Sequence, residues 1–201
     1  MARNPPLART PLKRDRILAS ALALIEGEGL AAFSMRGLGA SLGCQPMSVY
    51  HYFPGKTHLL DALVEAELAT VVAGPPAGDP TERLRAWARA YVALARRCPN
   101  LYPLIAVHRQ DAPAGVRLIE EMLSLVRAVV QDDRLAARFF QALHHYMTGA
   151  AARCRQAEDW ESGFELGLEC LLDAMRATSP AAGTADMATL PAPKPVIHPK
   201  R

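Results

Sequence analysis

No stretch of this 201-residue chain is both apolar and long enough to cross a bilayer, and its first thirty residues hold no signal-peptide core. A cytoplasmic protein is therefore expected. The four cysteines (Cys44, Cys98, Cys154, Cys170) are widely spaced and include no Cys-x-x-Cys pair. In a reducing compartment they read as free thiols filling small core positions, with a redox sensor as the rival. Metal and catalytic signatures are also missing. There is no Glu-x-x-His, as a di-metal carboxylate bundle would need, and no His-Glu-x-x-His. His144 and His145 are adjacent, so on a helix they diverge by about 100° rather than converge. β-Branched residues are sparse and no convincing strand appears, so no glycine-rich loop can follow one to cradle a phosphate. The expectation is no catalytic residue, no metal and no cofactor.

What is present favours helices. Half the residues are hydrophobic, with Ala and Leu abundant, and the length suits one or two domains. Net charge is +3, unevenly spread. Residues 1–60 carry seven Lys/Arg (Arg3, Arg9, Lys13, Arg14, Arg16, Arg36, Lys56) against three acids (Asp15, Glu26, Glu28). The remainder is nearly neutral. A basic N-terminal unit on a neutral body suits a head that faces phosphates.

The densest signal lies in residues 34–56. Ser34 can cap a helix in which Met35, Leu38 and Leu42 share one apolar face. Gly43 follows at once and can take the left-handed conformation that ends a helix. Pro46 stands where a second helix begins, since that position tolerates a missing N–H. Val49 and Phe53 pack back onto the first helix, leaving Gln45, Met47, Ser48, Tyr50 and His51 outside. Two short helices joined by a tight glycine turn predict a helix-turn-helix that lays its second helix in the DNA major groove. Arg36 can grip the O6 and N7 edge of guanine with two parallel bonds. The hydroxyls of Tyr50 and Tyr52 suit phosphate oxygens. Lys56, at the start of the next helix, can share a phosphate with unpaired backbone N–H groups.

The run from Leu38 through Leu42-Gly43-Cys44-Gln45-Pro46-Met47-Ser48-Val49-Tyr50-His51-Tyr52-Phe53-Pro54-Gly55-Lys56 to Leu59-Leu60 resembles the DNA-binding domain of TetR-type transcriptional repressors. The Leu-Gly turn, Tyr-x-x-Phe-x-x-Lys and the Leu-Leu after it carry the likeness, which extends upstream to Arg16-Ile17-Leu18 and Glu28-Gly29-Leu30. Gln45 departs from it, because the family often has Ser or Thr as the cap there. The DNA-contacting set expected from pattern and resemblance together is Ser34, Arg36, Gln45, Pro46, Met47, Ser48, Tyr50, His51, Tyr52 and Lys56. In the family an Arg at the place of Arg36 often contacts a base.

Around this unit, residues 1–10 read as a flexible arm, 11–55 as the DNA-binding domain and 56–73 as a connecting helix. A break at Gly74-Pro75-Pro76-Ala77-Gly78-Asp79-Pro80 precedes a helical body over 81–177, and a Pro/Ala-rich tail over 178–201 is expected to be disordered. Asn100, Asp111 and Asp132 or Asp133 are the expected caps within the body. Val116, Ile119, Leu123, Val126 and Val130 are expected to face inward. The fold class is thus all-α: an N-terminal three-helix domain with a helix-turn-helix, plus a C-terminal helical bundle.

By the same resemblance the bundle binds a small molecule and dimerises. Trp87, Tyr91, Tyr102, His108, Met122, Phe139, His144, Tyr146 and Met147 lie on helices that would surround the family's cavity, which implies a hydrophobic or aromatic effector. Gly163, Phe164, Gly167 and Leu171 lie on a last helix that would pair with its copy. Glycines one turn apart also fit packing inside one subunit. The functional expectation is a repressor, released from a duplex operator by its effector and acting as a homodimer. An all-helical enzyme or a helical adaptor is the alternative.

Overall fold

The computed structural model describes residues 12–72, 78–108, 111–154 and 160–178, and every regular element among them is a helix. In chain order these are α1 (Arg14–Glu28), α2 (Met35–Ser41), α3 (Pro46–Tyr50), α4 (Lys56–Val72), α5 (Pro80–Arg97), α6 (Tyr102–His108), α7 (Pro113–Val129), α8 (Asp133–Arg153) and α9 (Trp160–Ala177). The expected arm, the tail beyond Thr178 and most of the expected break (73–77) lie outside the described residues.

The head is built as its pattern dictates. Ile17, Ala21 and Ile25 recur every four residues on α1 and are fully buried. Gly29, at φ +87°, closes the helix by donating its N–H to the Ile25 carbonyl. The helix starts at Arg14 and runs through Gly27 to Glu28. Ser34 caps α2, its Oγ accepting from Gly37 N at 3.1 Å. Gly43 takes φ +65° in the turn. Pro46 opens α3, and Gln45 makes no side-chain capping bond.

The body packs α5 against α7, α8 and α9, while α4 runs from the head onto α7. Asp79 caps α5 through bonds to Thr81 N (3.0 Å) and Glu82 N (3.1 Å). Asp132 caps α8 by accepting from Leu135 N at 2.7 Å. Two expectations fail here. Asp111 does not cap α7; Glu65 of α4 does, its Oε2 accepting from Ala114 N at 2.6 Å while Arg117 pairs with its other oxygen at 3.0 Å. The α7 stripe is partly rotated: Val126 and Val130 are buried as expected, along with Ala114, Gly115, Leu118, Met122, Leu125 and Val129, but Ile119 and Leu123 are half-buried and Val116 is exposed. A cap supplied from another helix leaves no local trace in sequence, and α7 contains apolar residues on more than one face.

Asn100, expected as a cap of α6, is tied instead to the end of α1. Its side-chain amide donates to the Ile25 and Glu26 carbonyls at the end of α1 (3.3 and 2.9 Å), and the Glu26 carboxylate accepts from Asn100 N and Leu101 N (both 3.0 Å). Each helix end therefore satisfies the other's unpaired backbone groups. With the Glu65 joint, this fixes how the head sits on the body.

Candidate nucleic-acid interface and interior of the body

The turn between α2 and α3 depends on a glycine the sequence reading passed over. A Cβ on Gly39 would stand 3.2 Å from the Cys44 carbonyl oxygen and from Pro46 N and Cα. A side chain there would require α3 to give way by a few tenths of an ångström. Val49 is completely buried and Phe53 nearly so, which rotates the opposite face of α3 outward. Met47 is 63% exposed, Tyr50 38% and Tyr52 39%. Gln45 and His51 are also exposed, while Pro46 and Ser48 are half-buried. Three residues with apolar bodies share this small surface.

Arg36 is exposed and makes no hydrogen bond or ion pair within the described residues, so its guanidinium is available. Tyr52 and Lys56 are engaged. The Tyr52 hydroxyl donates to the Leu12 carbonyl at 2.6 Å, and Arg14 lies over the Phe53 ring at 4.3 Å. Lys56 donates to the Phe33 carbonyl at 2.7 Å and sits 5.4 Å from that ring's centre. Both residues tie neighbouring segments to the reading unit. An ammonium has three donors, so Lys56 retains others for a phosphate.

The nine residues expected around an effector fall in three places. Trp87, Tyr91 and Tyr102 form a buried aromatic strip: the first two rings stack at 6.3 Å, the third meets Tyr91 edge-on at 6.1 Å, and the tyrosine hydroxyls lie 3.4 Å apart. Met122 and Met147 are buried as well. His108 is exposed and lines a cavity of about 410 Å³ between α4 and the α6–α7 turn, with Thr57, Asp61, Val64, Asp111, Ala112 and Pro113. Phe139, His144 and Tyr146 are only half-buried on α8. Tyr146 stacks on Phe164 at 5.8 Å and donates to the Gly163 and Phe164 carbonyls.

Of the four positions expected at a subunit contact, two serve the protomer itself. Phe164 is buried between Tyr146 and Trp160, and a Cβ on Gly167 would strike the Tyr146 ring and hydroxyl. Gly163 has open space above it, and Leu171 is half-buried. Sequence reasoning missed Leu166, which is 69% exposed. Its signal was there: position 166 falls on the α9 face opposite Phe164, Leu168 and Leu172. Among the cysteines, Cys98 and Cys154 are core residues but Cys170 is exposed. Burial and the nearby Glu67 carboxylate push the Cys98 thiol up to about 11, which keeps it protonated.

Comparison with known proteins bears on both halves. The HTH-type transcriptional repressor DrrR1 of Streptomyces coeruleorubidus is 32% identical over 152 residues, covering 74% of this chain, which spans 56% of that protein's length. The HTH-type transcriptional repressor Rv1353c of Mycobacterium tuberculosis is 30% identical over 221 residues, covering 82% of this chain and 84% of its own. ActR of Streptomyces coelicolor, solved in complex with actinorhodin, superposes with a TM-score of 0.65 at 26% identity, over 87% of this chain and all of that one. No helix among the described residues is long and apolar enough to cross a membrane. Residues 17–63 match the bacterial regulatory proteins of the tetR family and residues 73–176 the tetracyclin repressor-like C-terminal domain. The head that presents α3 and the helical body that carries it are thus matched separately and in order: the chain belongs to the TetR family.

Proposed function

We propose that this protein is a homodimeric transcriptional repressor that binds a duplex operator through α3 and Arg36 and leaves it when a hydrophobic or aromatic molecule enters the body. The observation that carries the reading is the outward face of α3, where Met47, Tyr50 and His51 stand exposed while Val49 locks the helix from behind. The contact set is Ser34, Arg36, Gln45, Pro46, Met47, Ser48, Tyr50, His51, Tyr52 and Lys56. Within it Ser34, Tyr52 and Lys56 also hold the unit in shape. The working divisions are 11–55 for DNA reading, 56–73 for connection and 81–177 for effector binding and dimerisation, in a protein acting by binding in the cytoplasm.

Release follows from linkage. An effector preferring a body conformation with wrongly spaced heads must weaken operator binding by the same coupling free energy. The Glu26–Asn100 and Glu65–Ala114 joints give α6 and α7 a mechanical hold on α1 and α4. Relatives named repressors, and ActR with actinorhodin bound, support this assignment. The test is selection of bound duplexes from a random pool by the full chain. Enrichment of a two-fold symmetric site, with half-sites about 34–36 Å apart, is expected; retention blind to sequence and abolished by salt would overturn it.

A further inference from the structure

We propose that the indole N–H of Trp87 is the donor that receives a carbonyl oxygen of a flat, uncharged aromatic ligand in the interior of the body. This rests on the effector reading above. Trp87 lies on α5, which packs against both α7 and α8, and is 5% exposed. Among the described residues, its Nε1 is the buried side-chain nitrogen or oxygen with no hydrogen-bond partner. Buried indoles ordinarily find one. Trp160 of the same chain does, donating to the Ala150 carbonyl at 3.2 Å. A phenylalanine at 87 would fill an apolar site without stranding a donor, and no acceptor among the described residues meets this nitrogen, which leaves it available to a ligand.

The surroundings define that acceptor's carrier. Tyr91 lies nearly parallel to Trp87, at an interplanar angle of 9°, and Tyr102 closes the strip edge-on. Such a strip accepts planar rings. Thr81 is the buried polar side chain of the described residues, and no buried charge accompanies it. An ionised ligand would therefore lie unpaired, at a prohibitive desolvation cost. A neutral polycyclic ketone or quinone meets both demands.

The matched probes are 9-fluorenone and fluorene, which share one planar skeleton and differ in a carbonyl. In the full-length W160F protein Trp87 is the sole tryptophan, giving one indole N–H signal in a nitrogen-15 correlation spectrum. Fluorenone should move that proton downfield and bind about 5- to 10-fold more tightly than fluorene, the ratio expected of one hydrogen bond. W87F should bind the two equally. If W87F fails to fold, the W160F spectrum alone decides. Equal affinities with an unmoved indole signal would overturn the proposal, as would failure of both probes to perturb Trp87. Operator release by other compounds, read in gel shifts, is scored separately, so loss of this ligand assignment does not pass for loss of the effector reading.

Discussion

Gly39 and Arg36 sit three residues apart on α2 and are needed for opposite reasons. Gly39 matters for what it lacks, because the atoms its Cβ would meet are backbone and cannot swing aside. Gly39→Ala should therefore separate α2 from α3, lowering stability by about 1–3 kcal/mol and weakening operator binding further, as read by thermal unfolding and gel shift. Equal melting of variant and parent would show that the turn has slack. Arg36→Ala should leave melting unchanged, because nothing among the described residues holds that side chain. It should cost about 1–3 kcal/mol on the preferred operator and relax base choice at one position. A uniform loss on every sequence would make Arg36 a phosphate anchor instead. Lys56→Ala should do both things at once, reducing the salt slope of binding and, by removing the bond to Phe33, lowering the melting temperature.

Along whole helices, the seam between α5 and α9 is an antiparallel ladder of charge. Arg85 grips Glu169 with two bonds (2.5 and 2.7 Å), Arg89 grips Glu165, and Arg96 meets Glu161 at 3.4 Å. Hydrogen bonds from Arg85 hold the Glu169 carboxyl below its ordinary value of 4.5. A carboxylate depressed in the folded state contributes stability above its unfolded pKa and loses it as pH falls through the lowered value. Glu169→Gln should thus lower the melting temperature at neutral pH and flatten its decline below 4.5. Glu169 is partly exposed, so the effect is that of a solvent-screened pair and should shrink with salt. An unaltered acid limb would mean the pair forms no net bond.

The ladder also marks where sequence reasoning stops. Ser34, Gly43, Pro46 and Asp132 were legible because each acts on its own helix end within a few residues. Arg85 with Glu169, Glu26 with Asn100 and Glu65 with Ala114 join positions from different helices, and nothing local specifies those pairings. The aromatic residues were ambiguous for another reason: Trp87 and Tyr146 carry the same helical spacing, yet one is interior and the other lies against α9. The α7 stripe rotated because Val116 and Leu118 are both apolar, and only packing chooses between them.

At the scale of the whole molecule, one α3 of five residues reads too little DNA to act alone, so the operator must be met by two copies. We propose the outer stripe of α9 as the surface for that second copy. Gly163 is open and Leu166 and Cys170 are exposed, at helical spacing on the side away from the buried Phe164, Leu168 and Leu172. Leu166 is 69% exposed, a large apolar side chain that packs on nothing in the core of the described residues. Leu166→Glu places like charges against each other across a two-fold contact while touching nothing inside the subunit. It should yield a folded monomer by analytical ultracentrifugation, with parental helicity by circular dichroism. Operator affinity should then fall steeply, because each head would bind its half-site without the other's help. A dimeric Leu166→Glu protein with full operator affinity would place the subunit contact on another face. It would also remove α9 from any account of how the two reading heads are spaced.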